Sequence, residues 1–326
     1  MQTRHALPAA ALLLTALTAP APAGAAQPAC GTVITQSLTL EADLVCPDAP
    51  TPALVVGAAG ITIDLGGHAI RGDLTVGGGV GIGIDGRGGH DGVKIRNGTV
   101  EGFGRGIVLH GASDTRIRDM QVGGAGSDAL TIEGGARNAV VESLIQGRGR
   151  GILVVFSNRL RIARSTVTGA IGSAISLAGD RGDIVDNTLG RDGAKGTVTV
   201  AGAGNRVAGN VVRGAVMGGQ IVVASGAGNV VARNWVIGSR ATPFTGADTG
   251  ILVVQSASGT RVVENVSVAA GEDGIDVEDP TAHVARNTAN DNGDLGIEAV
   301  PGVRGNGNRA TGNGNPAQCL NVACSA

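Results

Sequence analysis

Short apolar runs alternate with breaks rich in glycine, asparagine and aspartate along nearly the whole chain. Nine runs align on their first apolar residue: Ile107, Leu130, Ile152, Ile175, Val198, Ile221, Ile251, Ile275 and Ile297. The steps between them are 23, 22, 23, 23, 23, 30, 24 and 22 residues. Within a run every second residue is apolar, as in Ile107 and Leu109, Leu130 and Ile132, Ile152 and Val154, Ile175 and Leu177. That period belongs to a strand with one buried face. A second series (Ile117, Val140, Ile162, Ile184, Val207, Val231, Val262 and Val284) rides in the same frame. Each repeat therefore carries at least two short strands separated by turns. A unit this small cannot bury its apolar face alone, so the units must stack and share one core. Strands a whole repeat apart then run parallel, and the crossover rule favours a right-handed path.

A column of small polar residues keeps the same register: Ser143, Ser165, Asn187, Asn210, Asn234, Asn265 and Asn287. Stacked Asn side chains can hydrogen-bond along the stack and adopt a left-handed turn conformation. The column is read as a structural ladder, with Asn187, Asn210, Asn234, Asn265 and Asn287 as its amide rungs. The step of 30 marks an insertion of about seven residues near Ser239 to Asp248. It contains Pro243 and Phe244.

Composition agrees with the pattern. Glycine contributes 57 of 326 residues and tyrosine none, yet hydrophobic residues reach 42%, so the chain has the core that a low-complexity segment lacks. Met1 to His5 is a short basic start. The apolar run Ala6 to Ala19 follows, then small residues ending Ala23-Gly24-Ala25-Ala26. This is the layout of a secretory signal peptide over residues 1–26. The run is too short and too broken by proline for a membrane span. Removing Arg4 takes the formal charge from −2 to −3, and no basic run remains to suggest a nucleic-acid partner. The four cysteines form two close pairs at the two ends of the mature chain. In an exported protein they are expected as disulfides Cys30–Cys46 and Cys319–Cys324, closing the ends.

Taken together, the runs Cys30-Gly31-Thr32-Val33-Ile34 and Asp43-Leu44-Val45-Cys46, the stretch Ile61 to Ile70, the repeats, and the tail Gly305 to Cys324 resemble the pectate-lyase-like superfamily of right-handed parallel β-helix proteins. The resemblance covers essentially the whole mature chain. It implies an all-β, single-stranded right-handed parallel β-helix with disulfide-closed ends. Residues 27–326 form one domain in this reading: 27–90 as N-terminal cap and first coils, 91–300 as regular repeats, 301–326 as C-terminal cap. It also implies a secreted protein that acts on or binds polysaccharide, as a lyase, hydrolase or epimerase. The alternative is a non-catalytic scaffold or adhesin that binds glycan or calcium. The superfamily hosts several chemistries, so function has to be argued from the site.

Outward positions of the first strand carry the candidates. One column reads Val108, Thr131, Leu153, Ser176, Thr199, Val222, Leu252, Asp276, Glu298; its neighbour begins with His110 and Glu133 and reaches Glu278. The middle is bland and the ends are polar. At the late end, Asp273, Asp276, Glu278, Asp294 and Glu298 gather on two coils, with Asp276 expected against Glu298. Adjacent coils lie about 4.8 Å apart. Two carboxylates that close raise a pKa or bind a cation such as calcium, and paired carboxylates also serve glycoside hydrolysis. A solvated acidic surface is the plain alternative. At the early end, His110 is expected against Glu133, and Arg105, Asp128 and Arg150 share one register. An arginine can clamp a uronate carboxylate and a histidine can move a proton, the two functions a lyase needs. The plain alternative there is a salt-bridge ladder.

Overall fold

The computed structural model describes residues 27–47, 51–73, 81–169, 172–190, 197–214, 218–238 and 248–326. The proposed signal segment and most of the inserted loop lie outside them. The chain winds as a right-handed parallel β-helix. One face is a parallel sheet of 13 strands, from Thr32–Ile34 to Cys319–Leu320, in which each strand pairs with its counterpart one coil away. The predicted register is observed: Ile107 lies opposite Leu130, Leu130 opposite Ile152, and Ile152 opposite Ile175.

A full coil has three strands. Leu130–Glu133 is followed by Ala139–Val141 and Leu144–Gly147; Ile152–Val155 is followed by Arg161–Ala163 and Thr166–Gly169. The inward residues of all three form one continuous core from Ile34 to Ala299. Burying each Ile or Leu there contributes about 1.5–3 kcal/mol. No tyrosine and few other aromatic residues are needed, because a coil this narrow is filled by aliphatic side chains stacked on their own kind one rung away.

The polar ladder runs inside the corner between the second and third strands. Asn187 Oδ1 accepts from the Ser165 backbone N–H, Asn210 Oδ1 from Asn187, Asn234 Oδ1 from Asn210 and Asn265 Oδ1 from Asn234, all at 2.9–3.0 Å. The amide of each Asn also donates to a carbonyl of the preceding coil, as Asn234 Nδ2 does to Val207 O at 2.9 Å. The ladder continues through Asn287 to Asn308. These Asn residues do not take the left-handed conformation expected of them. The residue just before each rung, serine or asparagine, does: Glu142 (φ 53°), Arg164 (50°), Asp186 (56°), Gly209 (67°), Arg233 (53°), Glu264 (60°) and Arg286 (55°). The corner bends one residue earlier, which turns the Asn side chain inward to cap the backbone N–H of the coil before it.

Both disulfides are present. Cys46 lies in the end strand Leu44–Cys46, and Cys319 and Cys324 lie in Cys319–Leu320 and Cys324–Ser325. Each bridge thus ties a terminal coil to itself. The two disulfide-closed segments thus stand at the two ends of the stack, as expected.

Candidate functional site

The outward column of the 13-stranded sheet is continuous. Asp85 pairs with Val108, Val108 with Thr131, and Leu252 with Asp276; Asp276 pairs with Glu298, and Glu298 with Leu320. The column is therefore longer than predicted, with a further carboxylate, Asp85, near its early end. Its two ends differ in access. Val108 and Thr131 are buried although they point away from the core, whereas Asp276 and Glu298 are half-buried.

At the early end, each buried carboxylate is matched by an arginine. Arg150 grips Asp128 with Nε–Oδ1 and Nη2–Oδ2 contacts of 3.0 Å, and the Arg150 backbone N–H donates to Oδ1 at 3.0 Å. Arg87 holds Asp85 in the same two-pronged way. Burial opposes ionisation of Asp85, but the Arg87 side chain and backbone N–H outweigh it and hold its pKa below the usual value. His110 Nδ1 lies 3.2 Å from Glu133 Oε2, on exposed surface. The expected contacts His110–Glu133 and Asp128–Arg150 therefore form. They do not form one site. Arg105 and His110 stand at opposite ends of the strand Arg105–His110, about 16 Å apart at the rise of a strand.

At the late end the carboxyls face one another, and none of them has an ion pair among the described residues. Asp273 is 6% exposed, and its Oδ1 accepts from the Leu295 N–H at 2.8 Å. Burial, a hydrogen bond with Glu298 and the charges of Glu298 and Asp294 push its pKa up to about 7. Burial and the charges of Glu298, Glu278 and Glu272 push Asp276 up to about 6. Glu278 is exposed and accepts from the Gln255 N–H at 3.3 Å, and Asp294 is exposed beside the cluster. Among the described residues no three carboxylate, imidazole or thiol groups converge as a metal-holding set. Two aspartates whose pKa values are raised to about 7 and about 6, side by side, are an arrangement suited to acid–base chemistry.

Two other polar residues do structural work. His68 donates its backbone N–H to Leu65 O in a tight turn, and its Nδ1 lies 3.6 Å from Asp43. Asp279 is buried and accepts from the Thr281 N–H and hydroxyl. One group went unnoticed in the sequence. Phe156, Asn158, Arg159, Asp180 and Arg181 gather on the turn that follows the 13-stranded sheet. The available signal was a phenylalanine between Gly111 and Gly134 on the coils before it and Gly179 and Gly202 on the coils after.

Residues 80–236 match a family model described as a right handed beta helix region, which is the fold the whole described chain takes. No curated protein matches the sequence significantly. Among solved structures, the catalytic domain of an alpha-1,3-glucanase in complex with nigerose is similar at 12% identity and TM-score 0.51, over 91% of this chain and 61% of that one. The Dettilon tailspike protein is similar at 14% identity and TM-score 0.49, over 90% and 61%. The A-module of a mannuronan C-5 epimerase from Azotobacter vinelandii is similar at 11% identity and TM-score 0.46, over 91% of both chains. This chain thus spans about three fifths of the tailspike and of the glucanase domain. These likenesses describe the fold. Among the described residues no helix is long and apolar enough to cross a membrane.

Proposed function

We propose that the protein is an exported, polysaccharide-acting β-helix that hydrolyses glycosidic bonds on the late rungs of its 13-stranded sheet. The observation that carries this reading is the pairing of Asp276 with Glu298 on adjacent rungs of the outward face, with Asp273 buried beside them. In this scheme Asp276, protonated up to about pH 6, gives its proton to the leaving glycosidic oxygen. Glu298 attacks the anomeric carbon as the carboxylate. Water then cleaves the glycosyl ester, with Asp276 now taking the proton. Asp273, buried beside them, shares a hydrogen bond with Glu298 and holds that side chain in place. A rung spacing of about 4.8 Å lies close to the roughly 5–5.5 Å of retaining enzymes, so the anomeric configuration is retained.

Export is supported by the two disulfides and by the basic, apolar and small-residue order of residues 1–26. Polysaccharide as the substrate class is supported by the glucanase crystallised with nigerose, whose fold this chain shares. The test is a screen of neutral and acidic polysaccharides for new reducing ends, with and without a calcium chelator. Hydrolysis that survives chelation and falls as pH rises above about 6 is expected. Unsaturated ends in place of reducing ends would transfer the chemistry to a lyase. Binding without any cleavage would leave the non-catalytic scaffold.

A further inference from the structure

A second surface, five rungs away from the acidic one, has the make-up of a glycan-holding groove. Phe156 is 79% exposed and lies in the left-handed region at φ 55°. The same turn position holds Gly111 (φ 68°) and Gly134 (70°) on the two coils before it, and Gly202 (119°) two coils after. A bulky side chain pays a conformational penalty there that glycine avoids. Phe156 recovers nothing by packing, since most of its surface is in solvent. Such an outlier points to use rather than to stability.

What lies around the ring supports that reading. Phe156, Asn158, Ala178, Gly179, Asp180, Ala201 and Gly202 line a depression of about 410 Å³. It runs into a second of about 270 Å³ lined by Ala136, Asn158, Arg159, Asp180 and Arg181. The floor is flat for a steric reason. A Cβ on Gly179 would collide with the Ser157 carbonyl oxygen, and one on Gly202 with that of Gly179. Arg159 and Arg181 stand on successive coils in the register of Arg137, linked by Arg137 N–H to Asn158 O and Arg159 N–H to Asp180 O. Arg137 is held by Asp114 through two contacts. Arg159 and Arg181 have no ion pair among the described residues. Asp180 Oδ1 accepts from the Ala203 N–H at 2.7 Å, which leaves its second oxygen for a hydroxyl. The strongest alternative patch, exposed Trp235 with Val211 and Val266 beside it, carries no polar groups that would name a ligand.

We infer that this turn is a non-catalytic binding groove for a carboxylate-bearing polysaccharide. A sugar ring stacks on Phe156 over the glycine floor, and Arg159 and Arg181 receive the carboxylates of the same chain. The groove lies about 24 Å from Asp276 along the coil axis at 4.8 Å per rung. It would hold a polymer whose far end reaches the acidic rungs, and to that extent the inference rests on the proposed function.

Affinity electrophoresis of the full chain tests it, in gels containing polygalacturonate, alginate, a sulfated glycan or a neutral glucan. Both polyuronates are expected to retard the protein more than the neutral glucan does. F156G, which restores the residue of the neighbouring coils, is expected to bind about tenfold more weakly with an undiminished melting temperature. Arg159→Gln with Arg181→Gln is expected to bind about tenfold more weakly and to lose the salt dependence. D276N should be retarded as strongly as wild type. Equal retardation of wild type, F156G and the double variant would overturn the groove, as would loss of retardation in D276N. Preference for the sulfated glycan would overturn the carboxylate assignment. Retardation without hydrolysis would remove the proposed function and leave the groove standing.

Discussion

The early and late rungs of the 13-stranded sheet present carboxylates in similar settings and treat them in opposite ways. Asp85 and Asp128 are each met by an arginine fork and lie where outward residues are closed over. Asp273, Asp276 and Glu298 meet other carboxyls, and the two aspartates hold their protons to about pH 7 and 6. The scaffold is the same at both ends. Asp128 has its arginine one rung on and Asp85 has its own two residues on in the chain, whereas among the described residues the late acids have no such partner. An ion-paired carboxylate is a structural acceptor, whereas a crowded one without a cation is an acid.

The sharpest break of this comparison is removal of the acids. E298Q and D276N are each expected to lower hydrolysis by about 10²–10⁴-fold, measured as reducing ends. Converting the late face into the early one comes next. Leu252 is the rung partner of Asp276, so L252R places a cation beside it. The alkaline limb of the activity profile should then fall by about one pH unit or more. If L252R left the profile unchanged, the contrast drawn here would be wrong. The reverse operation at the early end acts on stability. R150Q leaves Asp128 buried without its fork and should cost about 1–3 kcal/mol in denaturant melts.

The protonation of Asp273 adds a pH dependence of definite sign. Its pKa is raised on folding, so the native state binds more protons than the unfolded chain between about pH 4 and 7, and stability falls as pH rises through that window. D273N keeps an acceptor for the Leu295 N–H and removes the charge. It should melt a few degrees above wild type at about pH 8 and together with it at about pH 3.5. The smallest effect belongs to His110, whose contact with Glu133 is exposed; H110A should change stability by less than about 0.5 kcal/mol and leave hydrolysis intact.

Much of this was legible in the sequence. The alternation of Ile107 with Leu109 and its copies set the register, and register alone placed Asp276 against Glu298 and His110 against Glu133. The third strand of each coil was not legible. Thr288–Asn290 and Thr188–Leu189 are short and mixed in character, and only neighbouring coils hold them extended. The left-handed corner was assigned to Asn by its conformational habit, while charged residues such as Glu142 and Arg286 take that strain because the ladder needs the Asn turned inward. Arg105 and His110 were assigned to the two functions of one candidate site, but an extended strand carries its two ends apart. Phe156 was hidden because Ile152 to Phe156 reads as one uninterrupted apolar run. Only the observed turn shows that the run has already left the sheet.

The asparagine ladder gives the molecule a direction of growth. From Ser165 to Asn287, the backbone N–H of one rung is satisfied by the side-chain oxygen of the next rung along the chain. A coil that has just formed therefore waits for the following coil to complete it. The ripening end is always the one made last, so synthesis from the N-terminus can lay each rung on a template that is already finished except for its corner donors. A chain cut within this run would leave the ladder donor of its last coil without its acceptor, and the ladder ends at Asn308, ahead of the Cys319–Cys324 bridge.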